Sequence, residues 1–406
     1  MTLHPLIASL RRHKLTAGLL MLQIALTCAI VCNVAFLIVG RVQGLRTVTG
    51  VDEARTIVIE SSRTQPGNLL SAQQVDLQAL RAVPGVLSAA AVNTVPLSRD
   101  TWTTGVSAAP DKPNGGTDTT ASILGGSPGE LAALDLHLVA GRDFDAAEYV
   151  PMEASNGYAG LTHINNAIVT RALAGRLWPG LPALGQAIYV HDRPYRVTGV
   201  VEHLAQPSLG MAGQDDYSIM LPMLVDATRV MYALRADADR RDRVMRAAID
   251  RLNAIDPERI IGRTRRFEQI RRDYFRRDVT MLGLLLASAL GLLFVTGLGV
   301  AGLASFWVQQ RYRQIGIRRA IGATRRDILR HFQYENGIIV GAGLVLGAVC
   351  ALLLNAMLMS RYELPRLPLG YLPATGLCLL LLGQLAVWSP ARRAATIPPV
   401  SAIRAS

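Results

Sequence analysis

One segment of the sequence has the spacing of a catalytic serine turn. Residues Gly125-Gly-Ser-Pro-Gly129 match the pattern Gly-x-Ser-x-Gly, which presents a nucleophilic serine on a sharp turn in one class of hydrolases. In that turn the backbone N–H after the serine stabilises the oxyanion. Here that residue is Pro128, which has no N–H. The motif therefore argues against a serine hydrolase.

The sequence also lacks the motifs for nucleotide hydrolysis and for metal binding. The only lysines, Lys14 and Lys112, follow His13 and Asp111, whereas the lysine of a Walker A loop follows glycine. Four histidines lie in the polar part of the chain without the spacing of a metal motif: His137, His163, His191 and His203. We therefore expect no catalytic activity and no metal or cofactor bound by this chain.

The elements around these residues are dominated by four blocks without a charged residue. They are residues 15–39, 279–308, 336–360 and 367–390. A membrane-spanning helix needs about 20 apolar residues, and a signal-peptide core has only about 7–15. The blocks predict an α-helical membrane protein with four transmembrane helices, the first of which is an uncleaved anchor.

The net charge of +12 is compatible with nucleic-acid binding, but the distribution of the positive charge along the chain excludes that interpretation. The excess lies beside the apolar blocks, in residues 1–14, 309–335, 361–366 and 391–406. Basic loops stay in the cytoplasm. The pattern therefore predicts a cytoplasmic N-terminus (1–14), coupling loop (309–335) and C-terminus (391–406), a periplasmic domain over 40–278 and an outer turn at 361–366.

One basic segment conflicts with this topology, because seven arginines between Arg263 and Arg277 fall outside the membrane. Long domains are translocated largely regardless of charge, so we retain the topology. Either this segment is a solvated helix that continues into the second span, or it contacts anionic lipid headgroups.

The predicted spans contain no ionisable Asp, Glu, Lys, Arg or His, which argues against an ion-coupled transporter. Their polar residues Gln23, Asn33, Asn355 and Gln384 are predicted to form hydrogen bonds between helices. The third span has two Gly-x-x-x-Gly pairs that allow close helix packing, either within this four-helix unit or at a subunit interface. These glycines are Gly337, Gly341, Gly343 and Gly347.

The pattern of residues 40–278 predicts a large α+β domain. The first β-α-β-type unit has strands at Thr56–Glu60 and Val86–Val95 and a helix that starts with a capping box at Ser71-Ala-Gln-Gln74 and ends near Ala82. The second has a strand at Val230–Arg235, a helix at Arg240–Asn253 and a return strand at 258–267. Strand-like runs at Ala187–Val190 and Tyr195–Val201 indicate a β-rich subdomain inserted between the two units.

The loop at 309–335 is the most informative segment. Residues Ile315–Ile321 form a short amphipathic stretch that stops at Gly322, and Thr324 with Asp327 predicts the start of a helix that continues into the third span. A short cytoplasmic helix is therefore held between two membrane helices. Such an element can transmit a movement of a soluble partner to the membrane helices.

The same loop resembles the signature loop of the MacB/FtsX-type ABC transporter permeases. Its sequence is Gln314-Ile-Gly-Ile-Arg-Arg-Ala-Ile-Gly-Ala-Thr-Arg-Arg-Asp-Ile328. Residues 390–404 resemble the closing motif of that family, and Leu10-Arg-Arg-His-Lys-Leu15 resembles its entry into the first span. Four further segments resemble the MacB periplasmic core domain: Ala140-Gly-Arg-Asp-Phe144, Ala174-Gly-Arg-Leu-Trp-Pro-Gly180, Leu184-Gly-Gln186 and Tyr195-Arg-Val-Thr-Gly-Val-Val201.

The resemblance implies a type VII permease of the inner membrane that works as a dimer, with a second copy or a homologue. A cytoplasmic ABC ATPase would bind ATP and Mg²⁺ and move the periplasmic domain to drive efflux or export. A periplasmic adaptor, an outer-membrane channel and membrane lipid are further candidate partners, and no nucleic acid is expected. The expected ATPase contact consists of Gln314, Ile315, Gly316, Ile317, Arg318, Arg319, Ala320, Ile321, Gly322 and Ala323, with Arg392 and Arg393 nearby.

The sequence also departs from the family pattern. MacB itself carries its ATPase on the same chain, whereas 14 residues precede the first predicted span here, so we expect a separate ATPase subunit. Gln314 stands where the family usually has Glu, and Pro398 and Ser401 stand where its closing motif is usually acidic. Two alternatives share this architecture: an FtsX-like mechanotransmission module that regulates a cell-wall hydrolase, and a lipoprotein-release permease.

Overall fold

The computed structural model describes residues 14–64, 67–110, 118–153, 163–190, 193–210, 213–362 and 367–395. The chain divides into two compact units. One comprises residues 1–43 and 278–406, and the other comprises residues 44–277.

The described helices are, in chain order, α1 (Lys14–Leu45), α2 (Leu69–Arg81), α3 (Glu130–Leu134), α4 (Arg171–Leu177), α5 (Arg241–Ile255), α6 (Phe267–Gln310), α7 (Tyr312–Ala320), α8 (Arg325–Tyr362) and α9 (Tyr371–Ala395). The strands are β1 (Thr56–Ser62), β2 (Val86–Val92), β3 (Thr103–Ser107), β4 (Thr119–Gly125), β5 (Leu138–Gly141), β6 (Val150–Glu153), β7 (Asn166–Thr170), β8 (Ala187–Val190), β9 (Arg193–Val201), β10 (Ser218–Leu221), β11 (Met223–Asp226), β12 (Arg229–Ala236) and β13 (Ile260–Arg266). A short 3₁₀ turn covers Ala146–Glu148.

Four of these helices, α1, α6, α8 and α9, are long and apolar enough to cross a membrane. Polar side chains join them inside the bundle. The hydroxyl groups of Thr27 and Thr296 lie 2.8 Å apart, and Asn33 Nδ2 donates to the carbonyl of Ala351 at 3.2 Å. Because such groups have no water to bond in a bilayer, these contacts hold neighbouring helices together.

Asn355 and Gln384 also form hydrogen bonds, whereas Gln23 is placed by packing. Asn355 Oδ1 accepts a hydrogen bond from the backbone N–H of Leu367 at 3.0 Å. Gln384 Nε2 donates to the carbonyl of Gln333 at 3.4 Å. The Gln23 side chain packs against Gly299, where an added Cβ would lie 2.5 Å from Nε2. The polar groups of the spans are therefore used in packing.

The two predicted β-α-β-type units are confirmed, and they share one sheet. Its strand order is β13-β1-β12-β2, and every neighbouring pair is antiparallel. The first unit (β1-α2-β2) and the second (β12-α5-β13) therefore interleave, which is the split β-α-β arrangement of ferredoxin-like folds. The two helices pack with one face of the sheet around Ile57, Leu80 and Leu252.

The start of α2 differs from the prediction. The N-cap is Asn68, whose side-chain oxygen accepts the backbone N–H of Ser71 at 3.0 Å, and the helix begins at Leu69. The predicted capping box at Ser71 is therefore wrong. Asparagine caps helices as well as serine does, and this earlier cap allows Leu69 and Leu70 to enter the first turn.

A buried ionic network ties the interleaved units together. The Asp76 carboxylate on α2 receives two hydrogen bonds from Arg259, at 2.7 and 3.0 Å, and both side chains are fully buried. Arg63 and the Tyr232 hydroxyl donate to the same carboxylate at 2.9 and 2.7 Å. A buried charge is tolerated when it is paired and hydrogen-bonded in this way. The network therefore fixes α2 to the end of β1, to β12 and to the segment before β13.

The inserted β-rich subdomain is a closed sheet. Its strands pair in the order β5-β9-β7-β10-β4-β3-β8, and an additional pairing of β8 with β9 closes the ring. Closure removes the open edges that a flat sheet would expose. Buried Val106, Ile123, Val169, Ile188 and Tyr195 fill the core.

The basic segment before the second span is bound within the domain. Arg265 donates to Glu60 at 3.2 Å. Arg271 donates to Glu53 at 2.6 Å and to the carbonyls of Leu45 and Thr47 at 2.8 and 2.9 Å. Arg265 and Arg271 are therefore intramolecular anchors. The predicted helix that continues into the second span is present as α6, with Arg272, Arg276 and Arg277 exposed on it, and the lipid contact stays a hypothesis.

Candidate functional site

The candidate coupling site is the short helix α7 and the turn that follows it. Gly322 has a left-handed φ of +105°, which ends the helical path after Ala320. Thr324 and Asp327 then form reciprocal hydrogen bonds: Asp327 Oδ2 accepts the backbone N–H of Thr324 at 3.0 Å, and Thr324 Oγ1 accepts that of Asp327 at 3.3 Å. This is the predicted capping box, and α8 begins at Arg325.

An ion pair joins the two ends of the coupling loop. Arg311 Nη1 donates to both carboxylate oxygens of Glu335, at 2.7 and 3.1 Å, and the Glu335 side chain is 2% exposed. The sequence pattern does not single out Glu335 as the partner of Arg311. A signal for a buried ion pair was present in its position, since Glu335 is an acidic residue directly before the apolar block 336–360. Arg311 lies between α6 and α7, and Glu335 lies about three turns into α8, so the pair joins the two sides of the loop.

The three isoleucines of the loop differ in burial. Ile315 is 5% exposed and packs with Trp307, Ile328 and Phe332. Ile315 therefore packs within this chain, and the assignment of the loop residues to an ATPase contact stays a prediction. Ile317 is 44% exposed and Ile321 is 81% exposed. These two remain available on the surface.

The other predicted contact residues surround this pair. Gln314, Ala320 and Gly322 are exposed, Gly316 is buried and Ala323 is half-buried. Arg392 and Arg393 are exposed in the last turn of α9, and the Arg392 guanidinium stacks 5.6 Å from the ring centroid of Trp388. The side chains of Arg318 and Arg319 lie outside the described part of the structure. The exposed apolar patch is thus formed by Ile317 and Ile321.

Two of the four predicted packing glycines of the third span, Gly343 and Gly347, pack closely within this chain. A Cβ at Gly343 would lie 3.0 Å from Ile24, and one at Gly347 would lie 2.6 Å from Cys28 Cβ. Both glycines therefore allow close approach to α1. Gly337 has only Gln384 within 4 Å, at 3.4 Å, and Gly341 has open space around it. Of the two alternatives, packing within the four-helix unit accounts for Gly343 and Gly347.

Ser127 of the Gly-x-Ser-x-Gly motif is structural. Its Oγ accepts the backbone N–H of Ala91 at 2.9 Å, its own N–H donates to the carbonyl of Ala91 at 2.7 Å, and the residue is 2% exposed. The serine is thus buried against β2 without access to a substrate.

The histidines and carboxylates show no assembled metal site in the described ranges. No group of three His, Cys, Asp or Glu side chains lies close enough to hold a metal ion there. His203 Nδ1 lies 2.9 Å from Asp216, whose other oxygen accepts the N–H of Leu204. His137 and His163 are exposed, and His191 lies outside the described residues. His203 is therefore part of a loop-fixing contact.

Comparison with known proteins gives two family matches that together cover most of the chain. Residues 19–253 match the MacB-like periplasmic core domain, and residues 286–399 match the FtsX-like permease C-terminal region. The chain is 28% identical over 412 aligned residues to the macrolide export ATP-binding/permease protein MacB 1/2 of Paracoccus denitrificans, covering 98% of this chain and 57% of that protein. It is 27% identical to the pyoverdine export ATP-binding/permease protein PvdT of Pseudomonas syringae pv. tomato, covering 66% of this chain and 42% of the relative.

Among solved structures, the periplasmic region of MacB from Actinobacillus actinomycetemcomitans matches with 13% identity and a TM-score of 0.35, covering 55% of this chain and 94% of the other. The chain spans about half the length of the curated relatives it matches. The periplasmic core match alone extends over more than half of the 406 residues. The chain therefore belongs to the MacB/FtsX-type permease family, with a MacB-like periplasmic core domain and an FtsX-like C-terminal region.

Proposed function

We propose that this chain is the membrane subunit of an ABC transporter that exports a periplasmic substrate. A separate cytoplasmic ATPase would supply ATP hydrolysis and move the periplasmic domain. The observation that carries the proposal is the exposed pair Ile317, on α7, and Ile321, directly after it, in a loop that the Arg311–Glu335 ion pair joins across its two sides. An exposed apolar patch on a braced helix is suited to receive a partner and to transmit its motion.

Several observations support the division of labour between subunits. Neither Lys14 nor Lys112 follows a glycine, so these 406 residues contain no Walker A lysine. ATP and Mg²⁺ would bind to the partner ATPase, and this chain would bind no cofactor. The relatives are named ATP-binding/permease proteins, which supports pairing of the two activities in one assembly.

The expected assembly is a dimer of permeases above two ATPase subunits in the inner membrane. Export is supported by the names of the relatives, which transport macrolides and pyoverdine. A periplasmic adaptor and an outer-membrane channel would complete the path if the cargo leaves the cell. FtsX-like mechanotransmission and lipoprotein release use the same membrane architecture and are distinguished by the copurified partners.

Purification of the tagged chain from native membranes tests the division of labour. We expect an ABC ATPase to copurify, ATP turnover by the complex, and no turnover by the rigorously separated permease. Recovery of an adaptor would support export, whereas recovery of a peptidoglycan hydrolase would favour mechanotransmission. ATP turnover by the single chain would contradict the proposal.

The proposed topology places both termini and α7 in the cytoplasm and residues 40–278 in the periplasm. It rests on the basic segments beside the spans. Exposed Asp239 and Arg326 are suitable probes in a background without the four native cysteines. An impermeant maleimide added from the periplasmic side is expected to label Asp239→Cys and not Arg326→Cys. The reverse labelling pattern would overturn the topology.

A further inference from the structure

The periplasmic-type unit contains a cleft of about 670 Å³ that the proposed coupling does not use. Ligand pockets in proteins have volumes of about 300–1,000 Å³. The cleft lies where the four-stranded sheet, the closed β-rich subdomain and the small β6–β11 sheet meet. Trp102, Met152, Met223 and Val225 form its apolar part. Methionine side chains adapt to ligands of irregular shape, and tryptophan offers a flat apolar surface.

One wall of the cleft is a strained loop, residues 93–102. Leu97 and Arg99 have φ angles of +63° and +71°, which non-glycine residues rarely adopt. Backbone contacts hold the strain in place: the N–H of Arg99 donates to the carbonyl of Pro207 at 2.9 Å, and Thr94 Oγ1 donates to that of Asp100 at 2.8 Å. Strained backbone of this kind concentrates at ligand-binding sites.

The polar rim carries a positive charge. Within the described residues, Arg99 has no carboxylate within 4 Å, whereas the neighbouring Asp100 lies 3.8 Å from Arg229. Arg99 Nη2 donates to the backbone carbonyl of Tyr274 at 2.9 Å, and its guanidinium lies 5.2 Å from the Tyr274 ring centroid. A guanidinium has five N–H donors, so these contacts leave capacity for an oxygen of a ligand.

We propose that this cleft binds a drug-sized amphipathic molecule with an apolar or aromatic body and an anionic group held by Arg99. Because Arg99 also contacts Tyr274 on α6, a ligand at the rim would share this arginine with the helix that continues to Gln310. Binding in the cleft does not depend on the proposed export function. Only the identification of the bound molecule as the exported cargo rests on that function.

The test uses the full-length chain in phosphatidylcholine nanodiscs and the fluorescent anion 1-anilinonaphthalene-8-sulfonate as the probe. Energy transfer from Trp102 to the dye reports occupancy of the cleft. The part of the signal that is lost in Trp102→Phe is the part that comes from Trp102 and not from the other tryptophans. We expect saturable transfer in the wild type and binding at least about tenfold weaker in Arg99→Ala, since hydrogen bonds to charged groups are strong. Arg99→Lys should retain most of the affinity.

Arg246→Ala is the matched control, because Arg246 is an exposed arginine of the same unit and lies outside the cleft. It should bind the dye as the wild type does. Transfer that does not saturate, or equal affinity in Arg99→Ala and the wild type, would overturn the cleft as a ligand site. Neither result would affect copurification of the ATPase, so a failure here is separable from a failure of the proposed function.

Discussion

Ile321→Asp is expected to abolish export and to release the ATPase while the chain still inserts into the membrane. Ile321 is 81% exposed, so the substitution removes no packing within the chain. If the side chain fills a pocket of the ATPase, an aspartate would place an unpaired charge in an apolar contact. Central contacts of this kind are worth about 2 kcal/mol or more, or about a 30-fold loss of affinity. Pull-down of the ATPase and an export assay measure the effect.

Ile317→Asp should act in the same way, since Ile317 is 44% exposed on the same patch. Ile315 and Gly316 are less informative positions, because both are buried and larger or charged side chains there would also disturb the bundle. Val75→Asp is a matched control: Val75 is 49% exposed on α2 in the other unit, and normal export is expected. Gln314→Glu restores the acid usual in the family and should be tolerated. Wild-type ATPase binding in both isoleucine variants would place the coupling site elsewhere.

The start of a helix could be predicted from the sequence where a single capping interaction determines it. The cap formed by Thr324 and Asp327 depends on residues three apart, so the start of α8 followed from the sequence. At α2 two caps compete within four residues, Asn68 and Ser71, and the sequence pattern chose the wrong one. The capping rule alone does not rank them, because the choice depends on where Leu69 and Leu70 pack.

Contacts distant in sequence were the parts that could not be predicted. The interleaving of β13 beside β1 depends on pairing across about two hundred residues, and alternation within each strand does not reveal its neighbour. Arg311 and Glu335 are 24 residues apart, and only the packing of α6 with α8 brings them together. Ile315 was assigned to a partner for the same reason, since its burial depends on Trp307 and Phe332.

Glu130→Gln is expected to change how the stability of the protein depends on pH. Glu130 follows Gly129 at the start of α3 and is 3% exposed, and Oε1 has no hydrogen-bond partner among the described residues. Burial, with a smaller contribution from the Asp143 carboxylate, raises the pKa of Glu130 to about 8 from an ordinary value of 4.5. The folded protein therefore keeps a proton that the unfolded chain releases above about pH 4.5.

The stability that this proton provides is complete below about pH 4.5 and is lost as the pH rises towards 8. The slope is about 1.4 kcal/mol of unfolding free energy per pH unit, and the glutamine variant lacks an ionisable group there. Thermal unfolding of the full chain in detergent should show the wild-type midpoint falling between pH 5 and 8, and the Glu130→Gln midpoint falling less. Equal decreases in the two proteins would show that Glu130 is ionised when folded.

Glu148→Gln is the matched control for this experiment because its pKa shift has the opposite sign. Hydrogen bonds from Arg142, at 2.7 and 2.9 Å, are the main cause that lowers the pKa of Glu148 to about 2. The stabilisation by Glu148 is therefore present above about pH 4.5 and is lost only as the pH falls towards 2. Glu148→Gln should lower the midpoint by a similar amount at pH 5 and at pH 8. The two substitutions both replace a carboxyl group by an amide, so a pH slope that changes only in Glu130→Gln must come from the buried carboxyl group of Glu130.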